Sequence, residues 1–368
     1  MKRIWAQCRK ELAQFRRDRL TLALAFLLPI ATLILFSFGV RLESKNIPLV
    51  IQDFDQTPLS LAYADRFFAT TQFDSTLWAG SDPARDAIDR GLAKAAVVIP
   101  PDFSRRIKAQ NTSTVQVLVD GTDVNNARVV ANSIIATTSF FLTSQGLDTT
   151  TAKVAANVRL WFNPGRKETL YVVPGVYAVI LWIYPSLLAA IAMVREKEKG
   201  TIVQVYASSM SAIELIAGKA LAYLLIGLSE AIILISLGSL IFGLRFIGDP
   251  TPLLIGTPLF VITSVLFGIQ IGALANDQSV AVQAVSTIGF LTALLLSGFL
   301  YPLSNIPFPL SLISYLVPSR YYIDLTRDAF VLGTGWPGVW FAPLVLALLS
   351  TLLFRGTLKV LSRMQLSD

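Results

Sequence analysis

Apolar residues gather in six long stretches that alternate with polar segments along the chain. Each stretch has about 20 residues or more, and a helix of that length rises roughly 30 Å, the thickness of the hydrocarbon core of a bilayer. The pattern therefore predicts six transmembrane helices. They cover residues 20–40, 172–194, 220–243, 253–275, 280–300 and 339–361.

The second half of the chain has one long polar interruption, residues 195–219, with the sequence REKEKGTIVQVYASSMSAIELIAGK. Five charges of alternating sign come first, Gly200 follows them, and the later apolar residues recur roughly every three or four positions. This spacing indicates short amphipathic helices at a membrane surface. A polar helix held between two spans is a natural docking point for a soluble partner.

Residues 1–19 predict another amphipathic helix. Trp5, Cys8, Leu12 and Phe15 fall on one face, at spacings of three and four, and the basic residues lie elsewhere. Such a helix lies in the headgroup layer of the membrane. The alternative interpretation is a simple basic flank of the first span.

Between the first two spans, residues 41–168 differ from the rest, because short β-like runs alternate with helical ones. This alternation predicts a small α/β domain with a partly parallel sheet. The predicted strands are residues 47–53, 72–77, 95–99 and 114–119, and the predicted helices are residues 58–69, 83–91, 102–110 and 124–142. A further segment, residues 301–336, mixes prolines with apolar runs too short to cross a membrane, which predicts a re-entrant or interfacial segment.

The composition agrees with a polytopic membrane protein, since 54% of the 368 residues are hydrophobic and only 15% are charged. The sequence has no histidine and a single cysteine, Cys8. It therefore lacks the commonest general base and metal ligand, and it cannot form an internal disulfide. A catalytic site or a metal site is not expected.

The net charge of +7 is unevenly distributed. Residues 1–19 carry seven basic and two acidic side chains, whereas residues 41–168 carry 14 and 13. Across the predicted short loops and ends, fourteen basic residues fall on one side of the membrane and three on the other. This bias predicts a plasma (inner) membrane protein with cytoplasmic N- and C-termini and an extracytoplasmic α/β domain. It is a topology signal, so nucleic-acid binding is not expected.

Several separated motifs occur in a characteristic order. They are Asn163-Pro164, VPG at 173–175, VREKEKGTI at 194–202, ELIAGKA at 214–220, SGFLYPLSNIP at 297–307 and SYLVPSRYYIDLTRDAF at 314–330. With this layout the chain resembles the permease subunits of ABC-type exporters of the type-2 family, in the branch with a large extracytoplasmic domain. It departs from the pattern at 208–211, where many relatives have a proline and this chain has Ser-Ser-Met-Ser.

The resemblance implies an elbow helix at the N-terminus, a coupling helix after the second span, and a dimeric pore formed with a second permease copy or a paralogue. It implies that a separate ABC ATPase subunit binds ATP and Mg and drives export of a drug-like, lipidic or other amphipathic substrate. Membrane lipid and a periplasmic adaptor protein are further expected partners. The substrate itself is not specified by the sequence.

The chain is not expected to bind ATP itself. A phosphate loop needs the pattern G-x-x-x-x-G-K-[ST], so that backbone amides surround the phosphates. The nearest approach is Gly218-Lys219, which is followed by Ala220 and has Ile213 in place of the first glycine. The prediction is therefore a non-enzymatic subunit without a cofactor of its own.

Three groups of residues are candidates for function. In the polar interruption, the carboxylates are expected to fix the joint between the second span and the coupling helix, and the alternative is a solvated flank that only sets topology. The candidates for coupling to the ATPase are Arg195, Glu196, Glu198, Gly200, Thr201, Glu214 and Lys219.

Within the spans, an ionisable residue costs about 2.5–3.5 kcal/mol and should face the bundle interior. Glu230 is such a residue. It is expected to be either neutralised by protonation or hydrogen-bonded by a serine such as Ser229 or Ser236, and its role is either a polar clamp or contact with substrate or an ion. Gln270 on the fourth span and Asn276 just after it, the other candidate polar pathway residues, invite the same question.

The outer segment supplies the third group, the candidate outer-gate residues Pro302, Arg320, Asp324 and Arg327. The spacing of Arg320 and Asp324 predicts an ion pair one helical turn apart.

Two other functions compete with the exporter. An ion-coupled secondary transporter would need ion sites at the midplane and usually internal repeats; Glu230 is the one clearly buried carboxylate expected, and no repeat is visible. A membrane receptor or scaffold would bind a ligand with residues 41–168 and signal through the cytoplasmic helix.

Overall fold

The structure, a computed structural model, describes residues 1–39, 46–80, 82, 84–109, 111–120, 124–146, 169–200, 210–300 and 303–364. Contacts between residues divide the chain into two compact units, one formed by Met1–Val40 with Arg159–Asp368 and one by Arg41–Val158. The first unit contains the membrane helices and the second contains the sheet.

The elements are numbered in chain order. They are α1 Lys2–Arg17, α2 Arg19–Gly39, β1 Ile47–Asp53, α3 Pro58–Phe68, β2 Phe73–Leu77, β3 Ala95–Ile99, α4 Phe103–Lys108, β4 Gln116–Val119, α5 Val124–Ser144, α6 Thr169–Glu198, α7 Ala212–Phe242, α8 Thr251–Leu274, α9 Gln278–Leu295, α10 Leu310–Ser314, α11 Pro318–Arg327, α12 Trp336–Val339 and α13 Phe341–Met364.

The six predicted spans are confirmed. In the described part of the chain, six helices are long and apolar enough to cross a membrane: α2, α6, α7, α8, α9 and α13. The central one is α6, whose most apolar window is 94% buried, whereas the corresponding windows of α2 and α9 are 22% buried. The chain is therefore a polytopic α-helical membrane protein built around its second span.

The boundaries of the polar interruption differ from the prediction. The charges that open it continue α6 to Glu198, and α7 already begins at Ala212, after the N-cap Ser211. Backbone hydrogen bonding carries both helices beyond their apolar stretches, so both ends of the predicted coupling segment 195–219 belong to α6 and α7. Residues 201–209, in the middle of that segment, lie outside the described residues.

Two glycines allow α6 and α8 to approach closely. Gly268 and Gly272 lie one turn apart on α8, and a Cβ atom at Gly272 would lie 2.6 Å from the carbonyl oxygen of Ala190 on α6. A Cβ atom at Gly268 would collide with the carbonyl oxygen of Ser186. Paired small residues of this spacing are a common means of close helix packing in membranes.

The second unit is the expected small α/β fold. Its sheet has the strand order β2-β1-β3-β4, with β1 parallel to both β2 and β3, and β4 antiparallel to β3. Helix α3 is capped by Thr57 and packs on the sheet, and the hydroxyl groups of Tyr63 and Thr138 join it to α5 at 2.7 Å. The elements found there follow the predicted order, except that the helix predicted at 83–91 is a single π-helical turn, Ala84–Ile88.

The segment after α9 forms the short helices α10, α11 and α12. Helix α11 has ten residues, about 15 Å, so it is too short to cross a membrane. It packs into the helical core, where the Tyr322 ring stacks on Phe260 of α8 with a centroid separation of 4.2 Å. A hydrogen bond of 3.0 Å from the Thr326 hydroxyl to the Pro174 carbonyl ties α11 to α6.

Candidate functional site

A group of four charges, three of them buried, lies where α1 meets the polar ends of α6 and α7. We name Lys10, Glu11, Glu196 and Lys219 the junction cluster. The Lys219 ammonium lies 2.7 Å from Glu11 and 3.3 Å from Glu196, and Lys10 lies 2.6 Å from the same Glu196 oxygen. Lys219, Glu11 and Glu196 are 0, 2 and 5% exposed. Two ammonium groups and two carboxylates thus balance in charge.

The Glu11 carboxylate receives further hydrogen bonds. Gln7 donates its amide at 2.9 Å, and the Tyr223 hydroxyl donates at 3.3 Å. Lys219 also donates to the Ala192 carbonyl at 3.3 Å. A buried ion pair is tolerated when its remaining lone pairs and protons are satisfied in this way, and breaking such a pair is costly. The cluster therefore fixes α1 against α6 and α7.

A second link between the same elements involves Asp18, between α1 and α2. Its carboxylate caps α2 by accepting from the backbone amides of Leu20 and Thr21, and it lies 3.0 Å from the Arg195 guanidinium. The hydrogen bond from the Thr21 side chain, helped by Arg195, holds the pKa of Asp18 below its ordinary value. The start of the first span is thereby held beside the end of the second.

Two further charged residues near the end of α6, Lys197 and Glu198, form hydrogen bonds with the end of α8 and the start of α9. Lys197 donates to the carbonyls of Ala273 and Ala275, at 2.9 and 2.6 Å, where α8 ends. Glu198 accepts from the backbone amide of Gln278 at 2.8 Å, where α9 begins. Cations at a helix C-terminus and anions at an N-terminus both complement the helix dipole.

The structure places the predicted coupling residues in several contacts. Arg195, Glu196 and Lys219 belong to the two links with α1. Glu214 caps α7, because its carboxylate accepts from the Ser211 amide at 3.0 Å, and it also lies 3.6 Å from the Arg3 guanidinium of α1. Gly200 adopts a left-handed φ of 65° just beyond α6. Thr201 lies outside the described residues.

Glu230 is buried in the first unit, with 1% exposure, as expected for an ionisable residue in a span. The predicted hydrogen bond from Ser229 is wrong, because the Ser229 hydroxyl donates to the Ile226 carbonyl of its own helix at 2.6 Å. Ser236 is not a donor to Glu230 either. Among the described residues, neither carboxylate oxygen of Glu230 has a hydrogen-bond partner.

Gln270 and Asn276 occupy different environments. Gln270 is half-buried on α8 and lies against Gly356 of α13. Asn276 is exposed in the short connection after α8, next to the Asp277 cap of α9. It follows the end of α8, as expected from the predicted span at 253–275, and its role as a polar pathway residue stays a prediction.

The predicted pair between Arg320 and Asp324 is also wrong, since no ion pair joins them in the described structure. Arg320 lies over the Tyr315 ring, 4.1 Å from its centroid, and donates to the Ser314 hydroxyl at 3.1 Å. Arg320 therefore interacts with the Tyr315 ring and the Ser314 hydroxyl, which precede it in the chain, and not with the Asp324 carboxylate one turn later.

Arg327 lies over the Tyr171 ring at 4.2 Å and donates to the Gly298 carbonyl at 3.1 Å, so it joins the start of α6 to the segment after α9. The deeply buried acid of this region is Asp328, 1% exposed, which accepts from the amides of Thr334 and Gly335. Pro302 lies outside the described residues.

Sequence reasoning did not single out Lys10 and Glu11 of the junction cluster, or Asp18 of the second link. The stripe predicted for α1 includes Trp5, which is 54% exposed, whereas the fully buried positions are Gln7, Cys8 and Glu11. The signal in the sequence that could have revealed this buried polar face is the pair Gln7 and Glu11, which lie one helical turn apart beside the apolar stripe.

Comparison with known proteins places this fold in a family. The model of the family described as ABC-2 family transporter protein matches residues 19–358. Among similar proteins of Escherichia coli (strain K12), the probable multidrug ABC transporter permease YbhR is 28% identical over 344 residues, 92% of each chain. The probable multidrug ABC transporter permease YbhS is 24% identical over 362 residues, which covers 96% of this chain and 95% of that protein.

A third relative, the inner membrane transport permease YhhJ of the same strain, is 24% identical over 84% of this chain and 86% of its own length. The matches therefore run across both units, through the six spans and through the residues of the junction cluster in α6 and α7. By the extent of the family match, this chain belongs to the ABC-2 family of transporter permeases.

Proposed function

We propose that this chain is the membrane permease subunit of an ATP-driven exporter, and that separate ATP-binding subunits energise it through the segment between α6 and α7. The observation that carries the proposal is the junction cluster. Its ion pairs bind α1 to both helices that flank the segment, so a force on that segment is shared by three helices at once.

The charges around the segment support a mechanical role over a role in binding nucleotide. Lys219 is the lysine of the only glycine-lysine pair that approaches a phosphate loop, and it is fully buried against Glu11 and Glu196. A lysine so engaged is not free to reach a phosphate. ATP and Mg would then be bound by the partner subunit, and the permease alone should not hydrolyse ATP.

The proposed topology follows from the charge bias and the order of the spans. The basic ends of α1, α6 and α13 lie at the cytoplasmic face of an inner membrane, and both termini are cytoplasmic. The Arg195–Asp18 pair supports the order of the spans, because it holds the start of the first span and the end of the second on one face, and the charge bias assigns that face to the cytoplasm. The chain segment 41–168 then lies outside, where it could meet an adaptor protein.

The proposed substrate class is amphipathic, drug-like or lipidic. Two relatives carry names that describe them as probable multidrug permeases, which supports this class. The proposed assembly pairs two permeases, identical or paralogous, with two ATPase subunits. Conformational change then follows from contacts that differ between the ATP-bound and ATP-free states.

The test is co-purification of the chain with its ATPase, followed by reconstitution in proteoliposomes. We expect ATP-dependent, vanadate-sensitive transport and substrate-stimulated ATP hydrolysis. Glu196→Gln should reduce the stimulation while insertion stays normal, because it weakens the charge balance of the junction cluster. Asp65→Asn, which removes an exposed carboxylate from α3, is the matched control.

Three results would contradict the proposal. Transport driven by an ion gradient without ATP would favour a secondary transporter. Ligand binding without any transport would favour a receptor or scaffold. Unchanged substrate stimulation of ATP hydrolysis in Glu196→Gln would mean that the junction cluster has no part in coupling ATP hydrolysis to transport.

A further inference from the structure

A cavity of about 580 Å³ opens beside the junction cluster. It lies between the second half of α1, the start of α2 and the last turns of α6, so it is situated where the first two spans leave the membrane on one face. Its lining combines charged side chains with apolar ones.

The charged lining has an excess of cations. Five basic and three acidic residues line the cavity, and all three acids are engaged by lysine or arginine side chains in the contacts described above. Of the five basic residues, Lys10 and Arg195 take part in those ion pairs, and Arg17, Arg19 and Lys199 do not. They are exposed, and within the described residues no carboxylate lies within ion-pair distance of them. Three cations therefore face one cavity without a counter-ion from the described part of the chain.

The apolar lining is supplied by the spans. Leu20, 73% exposed, lies at the start of α2, and Leu188 and Ile191 lie on the last turns of α6. Helix α2 continues away from the cavity with only 22% of its apolar window buried, so a hydrocarbon chain could follow it into the membrane. A soluble anion would make no use of this surface.

We propose that this cavity binds the phosphate headgroup of an anionic membrane lipid. Arg17, Arg19 and Lys199 contact the phosphate, and the acyl chains lie along α2. Basic pockets between transmembrane helices are a recognised form of lipid site. Because the Asp18–Arg195 pair lines the same cavity, the bound lipid holds α1 against α6.

The test uses the purified full-length chain in neutral detergent, titrated with phosphatidylglycerol, phosphatidylcholine or soluble glycerol phosphate. Thermal unfolding and binding of a fluorescent phosphatidylglycerol are measured. We expect only phosphatidylglycerol to raise the Tm. In R17Q/R19Q/K199Q its affinity should fall on the order of 100-fold, since each basic residue near an anionic lipid contributes roughly fivefold.

The matched control is K2Q/R9Q/R16Q, which removes three exposed charges of α1 that do not line the cavity. It should keep the affinity within about twofold. If the triple variant does not insert, Lys199→Gln is compared with Lys359→Gln, which is exposed on α13.

Equal losses in the variant and its control would overturn the proposal in favour of general surface attraction. An equal response to glycerol phosphate would replace the lipid by a soluble phosphate. Unchanged lipid affinity with lost ATPase association would assign the cations to an acidic segment of the partner subunit. The lipid-affinity and Tm readouts require neither ATP, nor transport, nor the ATPase subunit, so they are independent of the proposed function.

Discussion

The ammonium of Lys219 lies 2.7 Å from the carboxylate of Glu11, although 208 residues separate them in the chain. Both side chains are almost fully buried, at 0 and 2% exposure. The pair joins the N-terminal helix to the third span, and the second span contributes Glu196 to the same ammonium. Three helices are thus held together by one lysine.

Replacing Lys219 should be strongly destabilising. Lys219→Met leaves Glu11 buried without its cation, and removing one partner of a buried ion pair costs about 3–5 kcal/mol in the free energy of unfolding. The double variant E11Q/K219M removes both charges and should recover most of that loss. Unfolding of the purified variants in detergent measures this. Additive losses in the double variant would mean that the two residues act independently.

The close approach of α6 and α8 should not tolerate a methyl group. Gly272→Ala places a Cβ atom 2.6 Å from the Ala190 carbonyl oxygen, and the backbone cannot move as a side-chain end can. We expect a loss of about 1–3 kcal/mol in the free energy of unfolding, as for other overpacked cores.

Gly39→Ala is the matched control, because an added Cβ atom there meets nothing within 4 Å. Thermal unfolding of both variants should show a lower Tm for Gly272→Ala alone. Equal Tm values would mean that the helices can separate without cost.

Glu230→Gln should leave stability unchanged or raise it. A buried carboxylate without a partner is costly, and glutamine keeps the shape and the polar atoms without the charge. The Tm of the variant in detergent tests this expectation. A clear fall would reveal a favourable contact of the carboxylate, whereas loss of transport at unchanged Tm would place Glu230 in the substrate path.

Acidification should weaken the link between the first two spans. The Thr21 hydrogen bond and Arg195 keep the pKa of Asp18 lower in the folded protein than in the unfolded chain. The link therefore contributes its full stability above the ordinary aspartate pKa of about 4, and this contribution disappears as the pH falls through the lower folded value.

The test measures the Tm of the wild type and of Asp18→Asn at a series of pH values from about 6 to about 3. The wild type should lose more Tm below about pH 4 than the variant, since asparagine keeps the cap but does not titrate. If the Tm of both proteins fell equally with pH, titration of Asp18 would not contribute to the stability of the link.

Local patterns in the sequence were sufficient for the layout of the fold. Apolar length predicted the six spans, because the bilayer requires about 20 apolar residues in each helix. Alternation of short runs predicted the α/β unit, because strands and helices differ in period. Both signals lie within single elements, so no knowledge of packing was needed.

Only the tertiary structure decided how the charges pair. Glu11 could not be matched to Lys219 from the sequence, since that contact depends on how α1 crosses α6 and α7. Arg320 lies over Tyr315 rather than pairing with Asp324, and Glu230 has no hydrogen-bond donor among the described residues. Hydrophobic length is a property of one segment, whereas an ion pair requires two side chains that packing brings within a few ångströms.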